Sequence, residues 1–295
     1  TNKYPKPCVP FLNVPMGLYQ FRFLNDLPIS SSTANSFHLP QKIADLYRNQ
    51  NTTISAESGR ISGSAGGLLK ASKYFDVNDD TILMMNADEI FFTADHGFLK
   101  KAYEQHISLQ SLATLVVMKH PEAGQKFGAI WCDKQNTVQT IMPAKNKPEG
   151  PLEPFHYIGI IFLNKKVLTL ILEDKETNIF YDILIHELNN QSVRTYTLDC
   201  SWYETGNPQD YLAATKQVLQ NIDAHTLSFI NQYDPSRLIK NATGVSLVSN
   251  SVNINEENLS GFNVISKTTH NLLLTTKIEN SVLFENEVLN SSYFA

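Results

Sequence analysis

Thr81-Ile82-Leu83-Met84-Met85-Asn86-Ala87-Asp88 is a short apolar run that ends in an acid. Five apolar or β-branched residues without a polar alternation read as a strand covered on both faces, the pattern of a parallel sheet. A carboxylate just past the C-terminal edge of such a strand faces the crevice where open α/β sheets bind ligands. Further strands are expected at residues 113–119, 129–132, 157–163 and 193–198, and helices at 67–74, 97–106 and 207–222. Strands alternating with helices over this length predict an α/β fold, a Rossmann-like, mixed and mostly parallel sheet flanked by helices.

A second acid, Glu204, stands in Ser201-Trp202-Tyr203-Glu204-Thr205-Gly206-Asn207-Pro208, where Gly206 allows a tight turn and Pro208 opens a helix. Asp88 and Glu204 together would make a hard-oxygen site for Mg²⁺ and the phosphates it carries. Taken singly, Asp88 reads equally as a helix cap and Glu204 as a surface acid.

Cations for a phosphate are few, because the net charge is −5, which also speaks against a broad surface for nucleic acid. Lys6 lies between Pro5 and Pro7, whose fixed φ stiffens the backbone and lets its ammonium be aimed. Lys145 and Lys147 sit in the proline-rich loop Met142-Pro143-Ala144-Lys145-Asn146-Lys147-Pro148, either solvated or holding a second phosphate. Gly63-Ser64-Ala65-Gly66-Gly67 leads into a helix, where glycines allow close approach and free N–H groups can receive a phosphate or a base edge. Such a stretch is often only a connector. His38, His156 and His186 lack partners at ligand spacing and read as core or surface residues.

Length and composition, 295 residues with 42% hydrophobic and 18% charged, suit one large domain and an appendage. Cys8, Cys132 and Cys200 are odd in number and widely spaced, which fits a reducing cytoplasm rather than a disulfide framework. No stretch approaches the roughly 20 apolar residues of a membrane span, and no signal-peptide core opens the chain. A soluble, cytoplasmic protein without a membrane partner is expected.

After about residue 222 the composition shifts to Ser, Asn, Val, Ile and Leu, so that 1–222 and 223–295 read as separate domains. Leu272, Ile278 and Phe284 recur every six residues, as do Val282, Val288 and Phe294, and Val252 lies twelve before Val264. A six-residue apolar period is the mark of a β-helix, with irregular antiparallel strands as the alternative.

Taken in order, these motifs resemble the sugar-1-phosphate nucleotidyltransferases, the family of mannose-1-phosphate guanylyltransferases and glucose-1-phosphate thymidylyltransferases. Pro5-Lys6-Pro7-Cys8-Val9-Pro10 resembles the end of the family's signature loop, residues 63–67 its GTAGG loop, Asn86-Ala87-Asp88 its metal acid, and Phe127-Gly128 its FG. Tyr157-Ile158-Gly159-Ile160 is similar to its sugar-side strand, Trp202 through Pro208 to its WxDxGTP turn, and residues 279–284 to coils of its short left-handed β-helix tail.

The resemblance implies Lys6, Gly63, Ser64, Ala65, Gly66 and Asn86 on the nucleotide, and Asn146, Lys147 and Gly159 on the sugar phosphate. Asp88 and Glu204 would hold Mg²⁺, and the tail offers a surface for homo-oligomers. The family's GxGTR loop is expected just upstream of Thr1. Glu204 stands where the family has Asp, and Asn146 where it has Glu. The expected reaction joins a nucleoside triphosphate and a sugar-1-phosphate into a nucleotide sugar and pyrophosphate. The rival is a catalytically silent subunit that binds nucleotide sugar.

Overall fold

The run at 81–85 forms the strand Thr81–Met85, and its neighbour Glu153–Asn164 runs antiparallel to it, with Met85 opposite Ile160 and Thr81 opposite Asn164. The computed structural model describes residues 3–172, 175–188, 192–267, 277–284 and 287–290. In it, Glu153–Asn164 is the hub of a six-stranded sheet. Its other edge pairs antiparallel with Ala113–Met118, and its first residues pair antiparallel with Ala129–Cys132, which continues to Val138–Met142. Val193–Thr197 on Ala113–Met118 is the one parallel pairing of this sheet among the described residues.

The α/β class therefore stands, while the mostly parallel sheet is corrected to a mixed, mainly antiparallel one. An apolar run reports that both faces of a strand are covered; it carries no information on the direction of the neighbour.

Alternation along the strands divides the core between the two faces of the sheet. Leu115, Val117, Ile161 and Leu163 pack with Leu68 from the helix Gly63–Ala71. Val116, Met118, Ile160 and Phe162 pack with Phe98, Leu99 and Ala102 from the helix Phe98–Ser108. Each such side chain contributes about 1.5–3 kcal/mol on burial.

The chain divides into two compact units, one of residues up to Pro5, Phe23–Asn86 and Phe91–Trp202, the other of Lys6–Arg22, Ala87–Ile90 and the chain from Tyr203 onward. The sheet just described belongs to the first. In the second, the helix Pro208–Gln220, with Asn207 accepting the Asp210 N–H as its N-cap, packs against the C-terminal strands. A further helix, Ala224–Tyr233, follows with Asp223 as its cap, in a stretch whose composition reads as β.

The tail forms a five-stranded sheet in the order Ser236–Asn241, Gly244–Ser249, Leu259–Ile265, Ile278–Phe284, Glu287–Asn290. Its inner pairings are parallel, as between coils of a β-helix, but both outer strands pair antiparallel, so the described residues form one mixed sheet. The six-residue period is met at Ile278, Val282, Val252 and Val264, which are buried, and broken at Val288, which is exposed. Leu272 and Phe294 lie outside the described residues. No helix among the described residues is long and apolar enough to cross a membrane.

Candidate functional site

Lys6 begins a 3₁₀ turn, Lys6–Cys8, whose carbonyl at Lys6 accepts the Val9 N–H at 3.0 Å. The hairpin that follows, Pro10–Phe11 with Val14–Pro15, turns through Leu12 and Asn13, both at positive φ, and is fixed in the second unit by three buried anchors. Tyr19 donates its hydroxyl to Phe11 O at 2.7 Å, Tyr211 donates to Pro10 O, and Asn13 Nδ2 donates to Ser236 Oγ and Ile265 O, each at 3.2 Å. Burial pushes both tyrosine hydroxyls far above their ordinary pKa, outweighing the nearby Arg22 charge at Tyr19 and the Thr215 bond at Tyr211, so they act as donors and not as acids.

This anchored segment delivers the Lys6 ammonium to Asp88, with Nζ 3.0 Å from Oδ2. Asp88, partly exposed, thus pairs with a lysine and does not cap a helix; at the helix Phe98–Ser108, Asp95 accepts the Gly97 N–H and pairs with Lys101 instead. Glu89, next along the chain, offers its carbonyl to Gln20 Nε2 at 3.0 Å. The Thr205 hydroxyl reaches the Asp88 carbonyl at 3.5 Å, so the turn carrying Glu204 meets the segment carrying Asp88. Glu204 Oε1 accepts the N–H of Gly206 at 2.5 Å and so closes its own turn.

Carboxylate oxygens are the hard donors that Mg²⁺ takes, and Mg²⁺ completes its shell with water and substrate phosphate. Among the described residues no group of three or more His, Cys, Asp or Glu could hold a metal. An ion held by one or two of these carboxylates would take the rest of its shell from water and phosphate.

In the first unit the structure joins two residues expected on different substrates: Asn86 donates its N–H to Gly159 O at 2.7 Å. Gly159 takes φ +82° in the bulge where Glu153–Asn164 slips register against Ala113–Met118, a conformation that favours glycine. Asn146 and Lys147 are exposed in the loop after Val138–Met142, and no side-chain bond ties them to the other candidates among the described residues.

The stretch 63–67 is a helix start and not a loop. Its amides, expected to be open, are taken in part by residues 175–179. The Ala65 N–H donates to Thr177 O and the Ser64 hydroxyl accepts the Ile179 N–H, both at 2.9 Å. Gly63, at φ +75°, backs so closely on Thr177 that a Cβ would strike its carbonyl. Gly67 lies against Asn35 and Glu57 in the same way.

Glu57, which sequence reasoning passed over, accepts Asn35 Nδ2 at 2.6 Å and the Ser62 N–H at 2.9 Å. Burial raises its pKa, but bonds from Asn35 and Ser62 and the charge of Lys70 outweigh it and hold the carboxyl below its usual range. Glutamate six residues before the glycine run is the signal that could have found it.

His156, read from the sequence as a core or surface residue, lies in the core. Neither ring nitrogen finds a hydrogen-bond partner among the described residues, and the ring lies tilted against Trp202 and Phe127, with centroids 4.2 and 5.2 Å away. Burial, with nearby His120, pushes its pKa down to about 4.

The sequence profile of the nucleotidyl transferase family matches residues 1–221. The chain is 29% identical to mannose-1-phosphate guanyltransferase 2 of Candida glabrata over 258 residues, 85% of this chain and 66% of that protein. It is 26% identical to the bifunctional protein GlmU of Methanocaldococcus jannaschii over 227 residues, 76% of this chain and 51% of that one. The chain thus spans half to two thirds of the length of these relatives. Among solved structures, HddC from Yersinia pseudotuberculosis shares the fold, with a TM-score of 0.56 and 18% identity over 72% of this chain and 90% of that one.

Proposed function

The chain belongs to the nucleotidyl transferase family, and on that premise we propose that it joins a sugar-1-phosphate to a nucleoside triphosphate, giving a nucleotide sugar and pyrophosphate. Mannose-1-phosphate and guanosine triphosphate are the leading pair, supported by relatives named mannose-1-phosphate guanyltransferase in several yeasts. The observation that carries the reading is Lys6 paired with Asp88 where the Thr205 turn meets it. A cation suited to phosphate, a carboxylate suited to a metal and the turn bearing a second carboxylate come together there.

In the reaction, an oxygen of the sugar phosphate forms a bond to the α-phosphorus as the bond to the bridging oxygen breaks in line, and pyrophosphate leaves with that electron pair. A phosphate monoester is already ionised near neutral pH, so the chain need supply no general base. Its contribution is positioning and charge neutralisation. Lys6 holds nucleotide phosphate oxygens from a backbone stiffened by Pro5 and Pro7. Asp88 and Glu204 hold Mg²⁺, which when bound neutralises phosphate charge as a Lewis acid. Gly63, Ser64, Ala65, Gly66 and Asn86 border the base and ribose, while Gly159, Asn146 and Lys147 border the sugar phosphate. Three widely spaced cysteines, Cys8, Cys132 and Cys200, without a disulfide framework favour a reducing, cytoplasmic setting.

The test is pyrophosphate release by the full-length protein given each nucleoside triphosphate with a panel of sugar-1-phosphates. Turnover with one pair supports the enzyme; silence with every pair defeats it. A second reading, a nucleotide-sugar-binding subunit without turnover, is favoured by the Glu204 carboxylate closing on its own turn at Gly206. Tight nucleotide-sugar binding without pyrophosphate release distinguishes it.

A further inference from the structure

Lys6 and Asp88 already satisfy one another, at 3.0 Å and with 38% and 35% of their side chains exposed. On the reading above, each has a different partner to serve: Asp88 a divalent cation, Lys6 a phosphate. A cation on the Asp88 carboxylate would stand within a few ångströms of the ammonium, and like charges at that range repel. We infer that Lys6 is the resting counter-ion of Asp88 and passes from it to a nucleotide phosphate when a divalent cation takes the carboxylate. Cation and triphosphate then bind with positive coupling, and the nucleotide-free protein holds the cation weakly.

The surroundings let side chains exchange partners while the backbone stays still. Lys6 is flanked by two prolines and held by the Val9 N–H at its carbonyl. The Asp88 carbonyl is reached by Thr205, and the neighbouring Glu89 carbonyl by Gln20. Each chain segment is therefore fixed by bonds that do not involve the ion pair. Glu204 likewise rests in a local bond, from the Gly206 N–H at 2.5 Å.

The experiment is a Mn²⁺ titration of the full chain without nucleotide, following the paramagnetic resonance of the free ion. Lys6→Ala is expected to raise Mn²⁺ affinity about two- to fivefold, the range an exposed ion pair commands. Lys6→Arg, which keeps the cation, is expected to stay within about twofold of the native protein. Asp88→Asn is expected to weaken binding about tenfold or more.

Unchanged or weaker binding in Lys6→Ala, with the Asp88→Asn loss intact, overturns the exchange and leaves the metal assignment standing. Mn²⁺ binding that Asp88→Asn does not alter overturns the metal assignment and the inference with it. Both side chains are partly exposed, so neither substitution empties the core.

Discussion

The hydroxyl of Thr205 reaches the carbonyl of Asp88 at 3.5 Å, across 117 positions of sequence. Thr205 is buried and adjoins Glu204, so this bond ties the turn of one acid to the backbone of the other. Thr205→Val keeps the shape and removes the donor. Pyrophosphate-release kinetics are expected to show kcat/KM reduced about three- to tenfold, and thermal unfolding a Tm lower by a few degrees, the worth of one hydrogen bond.

Asp88→Asn preserves volume and removes a charge. A loss of about a hundredfold or more in kcat/KM is expected, as for other groups that neutralise transition-state charge. Stability is expected to change by less than about 1 kcal/mol, since the pair with Lys6 is partly exposed. Kinetics and thermal unfolding of the same sample check both.

Gly63→Ala is expected to destabilise the fold by about 2–4 kcal/mol, because it adds a strained positive φ to a clash with the backbone of Thr177. Gly67→Ala meets the side chains of Asn35 and Glu57, which can yield, and is expected to cost about 1–3 kcal/mol. Urea unfolding of the two variants orders them.

His156 gives a pH dependence with a definite sign. Its pKa in the fold, about 4, lies below the ordinary value of 6.5, so between those values the unfolded chain binds the proton that the fold refuses. The stabilisation is complete above about pH 6.5 and is lost as pH falls towards 4. His156→Phe, which fits an aromatic cluster, is expected to remove about 1–3 kcal/mol of that loss between pH 7 and 4.5. His106, likewise pushed down to about 4 by burial, adds a loss of the same sign. Denaturant unfolding across the pH range measures the slopes.

The existence of the strands was legible because apolar runs such as 113–118 and 157–163 record burial directly. Their pairing was not, since Glu153–Asn164 serves three neighbours and no side-chain pattern encodes their directions. Lys6, Asp88 and Glu204 stood out in the sequence by residue type and setting, but the contact between the first two depends on anchors such as Tyr211 to Pro10, whose acceptor is backbone. The closure of residues 175–179 on the helix start uses mostly main-chain groups at Thr177 and leaves no mark in residue type. Ala224–Tyr233 did carry a signal, Asp223 three before Thr226, which composition concealed.

The central claim, that Asp88 and Glu204 serve one divalent cation, is tested most directly by a double-mutant cycle on pyrophosphate release with Asp88→Asn and Glu204→Gln. If both acids hold the same ion, the double variant is expected to lose little more than the worse single variant. Losses that multiply, with the double variant slower by the product of the two, would contradict it.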